Sequence, residues 1–396
     1  MDWSFTDQQE AVAETAEGLF RRMVDAPRVA TVEASPDRFD GELWQALADA
    51  GLLGLALAEP WGGSGLGMTE VCLLLEAQGR AVAPVPLWAT MVLGASAIAD
   101  WGTDDQQRRW LPAVADGQVR LTAALDEVAR SADHRPAAQA EPDGAGWRLH
   151  GGLRTVPQAH LAQRVLVPAA TADGAVVVAL VDPGADGCRL ERAETTDRQL
   201  WPHLWLDGAA VAADDVLGGA PLGPGPGEPS WPLVARRWLD RAHVGLAAMA
   251  LGVVEEAVAR TATYVNQRQQ FGKPLAAFQA TLLRAADAYI DTEAMRVTLW
   301  EAAWRLDSGR PATEAVSVAR WWASEAGQRV VHATQHLHGG IGADVTYPIH
   351  RYFLWGKQLE LALEGPSAQL ARAGRRLVSD HARPAAVASP RSGGPR

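Results

Sequence analysis

Arg268-Gln269-Gln270-Phe271-Gly272-Lys273-Pro274-Leu275, followed by Phe278-Gln279, is the stretch of this chain that decides its fold. It lies between two long helical patterns, about 234–266 and 276–308, and its Gly and Pro continue neither, so it predicts a tight turn between antiparallel helices. An arginine at such a turn offers five donors in a fixed fork, suited to a pyrophosphate. A third pattern, about 312–337, begins after Gly309-Arg310-Pro311 and stops at Gly339-Gly340, and a shorter one covers 348–363. Helices of this length joined by short loops pack as a bundle. At the Gly-Gly stop, backbone amides can approach an anion closely.

Upstream the pattern changes twice. From about residue 7 to 115 the apolar residues recur at helical spacing, with amphipathic helices predicted over 42–50, 69–81 and 104–115. Between 119 and 218 come short apolar runs at 164–167, 175–181 and 204–206, separated by turn clusters such as Asp182-Pro183-Gly184. The fold class is therefore α+β: a helical domain over 1–118, a small middle β domain over 119–218, and a C-terminal four-helix bundle over 231–380. A Pro/Gly-rich linker, 219–230, joins the last two, and the Pro/Ser/Gly/Arg-rich tail 381–396 is expected to be disordered.

With 396 residues, 48% hydrophobic, the chain has enough apolar material for several domains, which excludes whole-chain disorder. The formal net charge of −11 and the lack of a long Lys/Arg run argue against nucleic acid as a partner. Apolar runs such as 51–58 and 175–181 fall short of the roughly 20 residues that span a bilayer. The N-terminal Met1-Asp2-Trp3-Ser4-Phe5-Thr6-Asp7 lacks the basic and apolar regions of a secretory signal. A cytoplasmic protein without a membrane partner is expected. Cys72 and Cys188 are the only cysteines and lack metal spacing, so neither a disulfide scaffold nor a cysteine zinc site is predicted.

The order helical, β, bundle resembles the acyl-CoA dehydrogenase family over about residues 2–380. The turn at 268–275 is similar to the family's Arg-x-x-Phe-Gly-Lys-Pro turn. His336-Leu337-His338-Gly339-Gly340-Ile341-Gly342 with Tyr347-Pro348 looks like its Gln-x-His-Gly-Gly-x-Gly segment, and Pro60-Trp61-Gly62-Gly63-Ser64-Gly65 like its first-domain glycine loop. The resemblance implies a flavin-dependent oxidoreductase that introduces an α,β double bond into an acyl thioester, carried by CoA or a carrier protein. It implies FAD as cofactor, contacted by Arg268, Gln270, Phe271, Gln279, His336, Gly339 and Gly340, largely across a subunit interface. A homo-oligomer, or a heterotetramer with a homologous subunit, and an electron-accepting flavoprotein are the implied protein partners.

Removing an α-proton while hydride leaves Cβ requires a carboxylate base. The family's Glu-Gly-Thr-Ser segment corresponds to Glu364-Gly365-Pro366-Ser367, so the resemblance implies Glu364 as the base, with Glu360 as the alternative. Glu364 falls one residue later than the family spacing. The earlier helical position used by other members is Ala242, while Asp240 and His243 look like the Asp and Arg that meet the CoA part of the substrate. Two ring-contacting segments depart from the pattern. Leu125-Asp126-Glu127-Val128-Ala129-Arg130-Ser131-Ala132-Asp133 replaces Leu-Thr-Glu-Pro-Gly-x-Gly-Ser-Asp, and Thr155-Val156-Pro157-Gln158 replaces the Trp-Ile-Thr/Ser-Asn whose Trp covers the isoalloxazine. An intact dinucleotide end beside an altered ring end fits a second reading, a supporting subunit of a heteromeric enzyme. A third, a metal enzyme using His332, His336 and His338, lacks the adjacent Glu of a hydrolase helix, and no metal ligand is assigned.

Overall fold

The computed structural model describes residues 4–224 and 229–381. The tail 382–396 and residues 225–228 of the expected linker lie outside the described residues. The N-terminal domain comprises α1 (Asp7–Met23), α2 (Ala26–Ala34), α3 (Gly41–Asp49), α4 (Met68–Ala81), α5 (Ser96–Trp101) and α6 (Asp104–Ala115). A π-helical segment, Trp88–Ala95, runs directly into α5. Thr6 and Thr103 cap α1 and α6 through side-chain bonds to the third backbone amide, answered by Gln9 and Gln106, which is why those helices start where they do.

The middle domain contains β1 (Leu121–Ala123), the short helix α7 (Asp126–Arg130), β2 (Ala138–Asp143), β3 (Gly146–Leu153), β4 (Arg164–Ala170), β5 (Val176–Val181), β6 (Cys188–Glu191) and β7 (His203–Val211). These form one mixed sheet in the order β1-β4-β2-β3-β7-β6, with β5 on the far edge of β4. β1 and β2 both run parallel to β4, β1 pairing at Arg164–Leu166 and β2 at Ala169–Ala170, so α7 fills the chain's detour between them. That detour carries α7 off the sheet and toward the C-terminal helices.

The C-terminal region contains α8 (Trp231–Gln267), a two-residue hairpin of β8 (Gln269–Gln270) and β9 (Lys273–Pro274), then α9 (Gln279–Asp307), α10 (Thr313–His338), α11 (Ile349–Leu361) and α12 (Pro366–His381). The sequence reading expected four helices here; α12 is a fifth, starting at Pro366 in the first turn, where a proline's missing N–H costs nothing. α8 is long and apolar enough to cross a membrane by length and composition, yet 83% of its most apolar window is buried inside the protein, as befits a central core helix.

α8 packs on α4 at a crossing set by two glycines. A Cβ at Gly252 would overlap the Glu76 carbonyl oxygen, and one at Gly79 would overlap that of Met249. Gly252→Ala should therefore lower stability in urea unfolding by about 1–3 kcal/mol, because forced helix separation outweighs alanine's helix preference. A stability gain of about 1 kcal/mol, normal for Gly→Ala in a helix, would contradict the close crossing.

Candidate active site

Two groups of candidate residues lie far apart along α8, one at its C-terminal end and one beside His243 in its N-terminal half. At its C-terminal end Arg268 caps the helix, its N–H bonding the Tyr264 carbonyl, and the hairpin turns through Phe271 (φ +54°) and Gly272 (φ +79°). Both central residues at positive φ define a tight hairpin turn, a conformation that disfavours a bulky residue such as Phe. The Phe271 ring is nevertheless 92% exposed and stands edge-on to Phe278, over whose face the Lys273 ammonium sits at 4.3 Å. α10 ends at Gly339 (φ +63°, ψ −142°), a region open essentially to glycine alone, and a Cβ on Gly339 or Gly340 would meet nothing within 4 Å. Tyr264 stacks on His338 at 4.5 Å and joins the hairpin root to this turn. Arg268, Gln270, Phe271, Gln279, His336, Gly339 and Gly340 are all exposed at this one end of the bundle. The adjacent surface of α9 presents Leu282, Leu283, Tyr289 and Ile290, each more than half exposed.

The second group surrounds Glu364. Leu363 takes φ +59° and turns the chain from α11 into α12, leaving Glu364 only 4% exposed. One carboxylate oxygen meets Arg372 Nη2 at a very short distance; the other accepts from Gln369 Nε2 at 2.7 Å. Arg372 Nη2 also donates to the Ala129 carbonyl of α7 at 2.6 Å, and Arg130, paired with Asp126, reaches the Leu361 carbonyl at 3.5 Å. Gln369 Nε2 lies 3.4 Å from His243 Nε2, and Asp240 accepts from Thr313 Oγ1 at 2.8 Å, so both residues expected to meet CoA are buried and engaged. Arg320, wholly buried, caps the end of α11 by donating to the carbonyls of Leu359 and Ala362 at 2.8 Å and of Glu364 at 3.2 Å. Burial lowers its pKa to about 10. Burial likewise raises the Glu364 carboxyl above the ordinary range, outweighing Arg372, Arg320 and Arg130. Glu360 pairs with Lys357 instead.

The sequence reading missed the partners of Glu364. Arg372 and Gln369 lie eight and five residues downstream, and only the helical spacing of α12 could have placed them beside it. His332 packs on Phe353, while His338 bonds the Thr334 carbonyl. Among the described residues no three His, Cys, Asp or Glu side chains form a metal cluster.

The segment matching the flavin lid lies between these ends. Thr155 N–H donates to His203 Nδ1, Gln158 bonds Gln199, and Trp201 stacks on Trp88 at 5.9 Å. Trp88, Trp201, Trp355, Gln158, Gln199 and Asp197 enclose about 20 Å³, room for one water where a ligand site needs about 300 Å³ or more. The dinucleotide end fits an FAD; the ring end of this same chain does not.

Helical and sheet domains in this order, with an Arg-x-x-Phe-Gly-Lys-Pro turn between bundle helices, define the class of flavin-dependent acyl-CoA dehydrogenases. Residues 6–118 match the family model for the acyl-CoA dehydrogenase N-terminal domain and residues 231–377 that for the C-terminal domain, and the chain belongs to this family of oxidoreductases, whose cofactor is FAD. It is 38% identical to acyl-CoA dehydrogenase FadE27 of Mycobacterium tuberculosis over 96% of this chain and 99% of the relative. Among solved structures, a variant of the Tcur3481–Tcur3483 steroid ACAD is 46% identical, with TM-score 0.86 over 95% of this chain and 99% of that one. The ChsE4–ChsE5 complex from Mycobacterium tuberculosis is 37% identical, with TM-score 0.87 over 96% and 99%.

Asp197, buried in the ring-end wall, has its pKa raised to about 6, chiefly by desolvation. The native state therefore holds a proton that the unfolded chain releases, and stability present below the ordinary Asp value is lost as pH rises through about 6. From pH 5 to 7.5 the wild type should lose about 1.4 kcal/mol more than Asp197→Asn in urea unfolding, and equal slopes would refute this.

Proposed function

We propose that this chain is the supporting subunit of a heteromeric flavin-dependent acyl-CoA dehydrogenase, gripping the dinucleotide end of an FAD whose ring is seated in a homologous partner. One observation carries this reading: beside the segment that replaces the flavin lid, Trp88, Trp201, Trp355 and Gln158 leave only about 20 Å³ in this chain. From Arg268 to His243, which stands beside Gln369 and Glu364, α8 runs about 37 Å at 1.5 Å per residue. A flavin gripped at the hairpin would therefore serve a neighbouring chain's site, and the closed ring end favours a homologous partner over a second copy of this chain.

In that assembly Arg268 would pair with pyrophosphate oxygens, and the exposed Phe271 ring would pack against the nucleotide. Gly339 and Gly340 let backbone amides come close to phosphate, flanked by Gln270, Gln279 and His336. Bound FAD supplies the acceptor for the hydride leaving Cβ of the thioester, and an electron-accepting flavoprotein takes the electrons onward. The exposed apolar face of α9 supports an obligate partner, since a contiguous apolar surface of this kind marks an interface. Likeness to a steroid ACAD supports a steroid-bearing acyl-CoA as substrate.

A second reading keeps Glu364 as the base, favoured by its burial-raised pKa, which suits proton abstraction near neutral pH. Against it, both carboxylate oxygens are occupied and the ring end is filled.

In the complex co-expressed with its homologous partner, Arg268→Ala should lower flavin content, since such a phosphate contact is worth about 1.5–3 kcal/mol. Unchanged flavin content would show the turn to be structural only. Glu364→Gln should leave flavin reduction by acyl-CoA within about twofold; a 10²–10⁴-fold loss would assign the base to this chain.

A further inference from the structure

The hairpin at 268–275 and the glycine turn at 339–340 come from separate stretches of chain, and a dinucleotide gripped by both requires them to keep one spacing. Among the described residues no hydrogen bond joins residues 268–279 to residues 339–343. Tyr264 stands between them. Its carbonyl accepts from the Arg268 N–H at 2.8 Å, so its ring lies one turn, about 6 Å along α8, before the arginine and on the same face of the helix. That ring stacks on His338 with centroids 4.5 Å apart and planes 23° apart, a distance at the close end for aromatic pairs. Both rings also meet Tyr347, at 6.4 Å from Tyr264 and 5.5 Å from His338.

His338 carries the constraint into the glycine turn. It is 3% exposed, and its Nδ1 donates to the Thr334 carbonyl at 2.8 Å, which fixes one edge of the imidazole. Its Nε2 is buried without a partner among the described residues, so the Tyr264 and Tyr347 rings, rather than a second hydrogen bond, hold the rest of it. Gly339 follows directly at φ +63°, ψ −142°, and the course of the Gly339–Gly340 backbone therefore starts from His338. The Tyr264 hydroxyl reaches the His338 carbonyl only at 3.4 Å, long for an O–H···O bond. The ring makes the link and the hydroxyl adds little.

We propose that Tyr264 is a positioning residue for the dinucleotide: its ring, clamped on His338, sets the spacing at which Arg268 and the Gly339–Gly340 amides meet one pyrophosphate. This rests on the reading that the hairpin end grips FAD, and it is an instance of a supporting side chain holding binding groups in a productive geometry before the ligand arrives. The test is the rate of FAD release from the complex co-expressed with its homologous partner, followed by the rise in flavin fluorescence after dilution. Tyr264→Leu, which keeps apolar bulk and loses the stack, should release FAD at least tenfold faster, and Tyr264→Phe should stay within about twofold of wild type. Tyr264→Leu combined with Arg268→Ala should release FAD within about twofold of Arg268→Ala alone, because both act on one contact. If Tyr264→Leu fails to fold, by circular dichroism, Tyr264→Met takes its place. Faster release in Arg268→Ala but a wild-type rate in Tyr264→Leu would overturn the positioning role alone, as would fully multiplicative effects in the double variant, the mark of a ring that only stabilises the fold. A wild-type rate in Arg268→Ala would overturn the FAD grip and this inference with it.

Discussion

The guanidinium of Arg372 ties the sheet domain to the bundle beside the candidate base Glu364. Its Nη2 joins the Glu364 carboxylate to the Ala129 carbonyl, so α7, α12 and the turn after α11 are fixed as one unit. Gln369 meets the second carboxylate oxygen and Arg320 the carbonyls around it, while Arg372 Nε, Arg320 Nε and Nη1 and Gln369 Oε1 stay buried without a partner among the described residues. Removing one member leaves an uncompensated buried charge, which makes the arrangement stiff. The same stiffness occupies the carboxylate that a catalytic reading requires to be free.

Helix α8 gives that closure its functional meaning. It is buried over most of its length and runs straight from the Glu364 neighbourhood to the exposed hairpin, so the two ends cannot approach one another. The hairpin accepts a strained Phe271 and leaves its ring in solvent, while Leu282, Leu283, Tyr289 and Ile290 expose apolar surface beside it. Isolated, that end leaves apolar surface and a strained turn in solvent; in the proposed assembly it would be the complementary half of a site whose remainder lies in a partner chain. The closed ring end, about 20 Å³ between stacked Trp88 and Trp201, is its counterpart within the chain.

Helix boundaries were legible where backbone chemistry is local. Gly309-Arg310-Pro311, Gly339-Gly340 and the 268–275 turn end helices within a few residues of the expected places, and the helix expected over 104–115 matches α6. The middle domain read correctly as β, yet β2 and β3 escaped because Ala138–Asp143 and Gly146–Leu153 carry few β-branched residues and draw their stability from pairing. The π-helical turn has no sequence signature; Trp88 donates to the Ala242 carbonyl of α8, and Trp238 of α8 donates to the Leu93 carbonyl. Loss of the ring-contacting motifs was visible, but what replaced them was not: Trp201 and Gln199 lie more than 40 residues beyond Gln158 and meet it only through the sheet. Glu364 was readable as a candidate; Arg372 and Ala129, which decide its availability, are tertiary partners.

The flavin content of the chain purified alone and with its homologous partner tests the account most directly. The account predicts a colourless chain alone and, in the complex, one FAD for every two chains, lost in proportion when the partner is omitted. A chain that purifies alone with one FAD per subunit, bleached by an acyl-CoA, would contradict it.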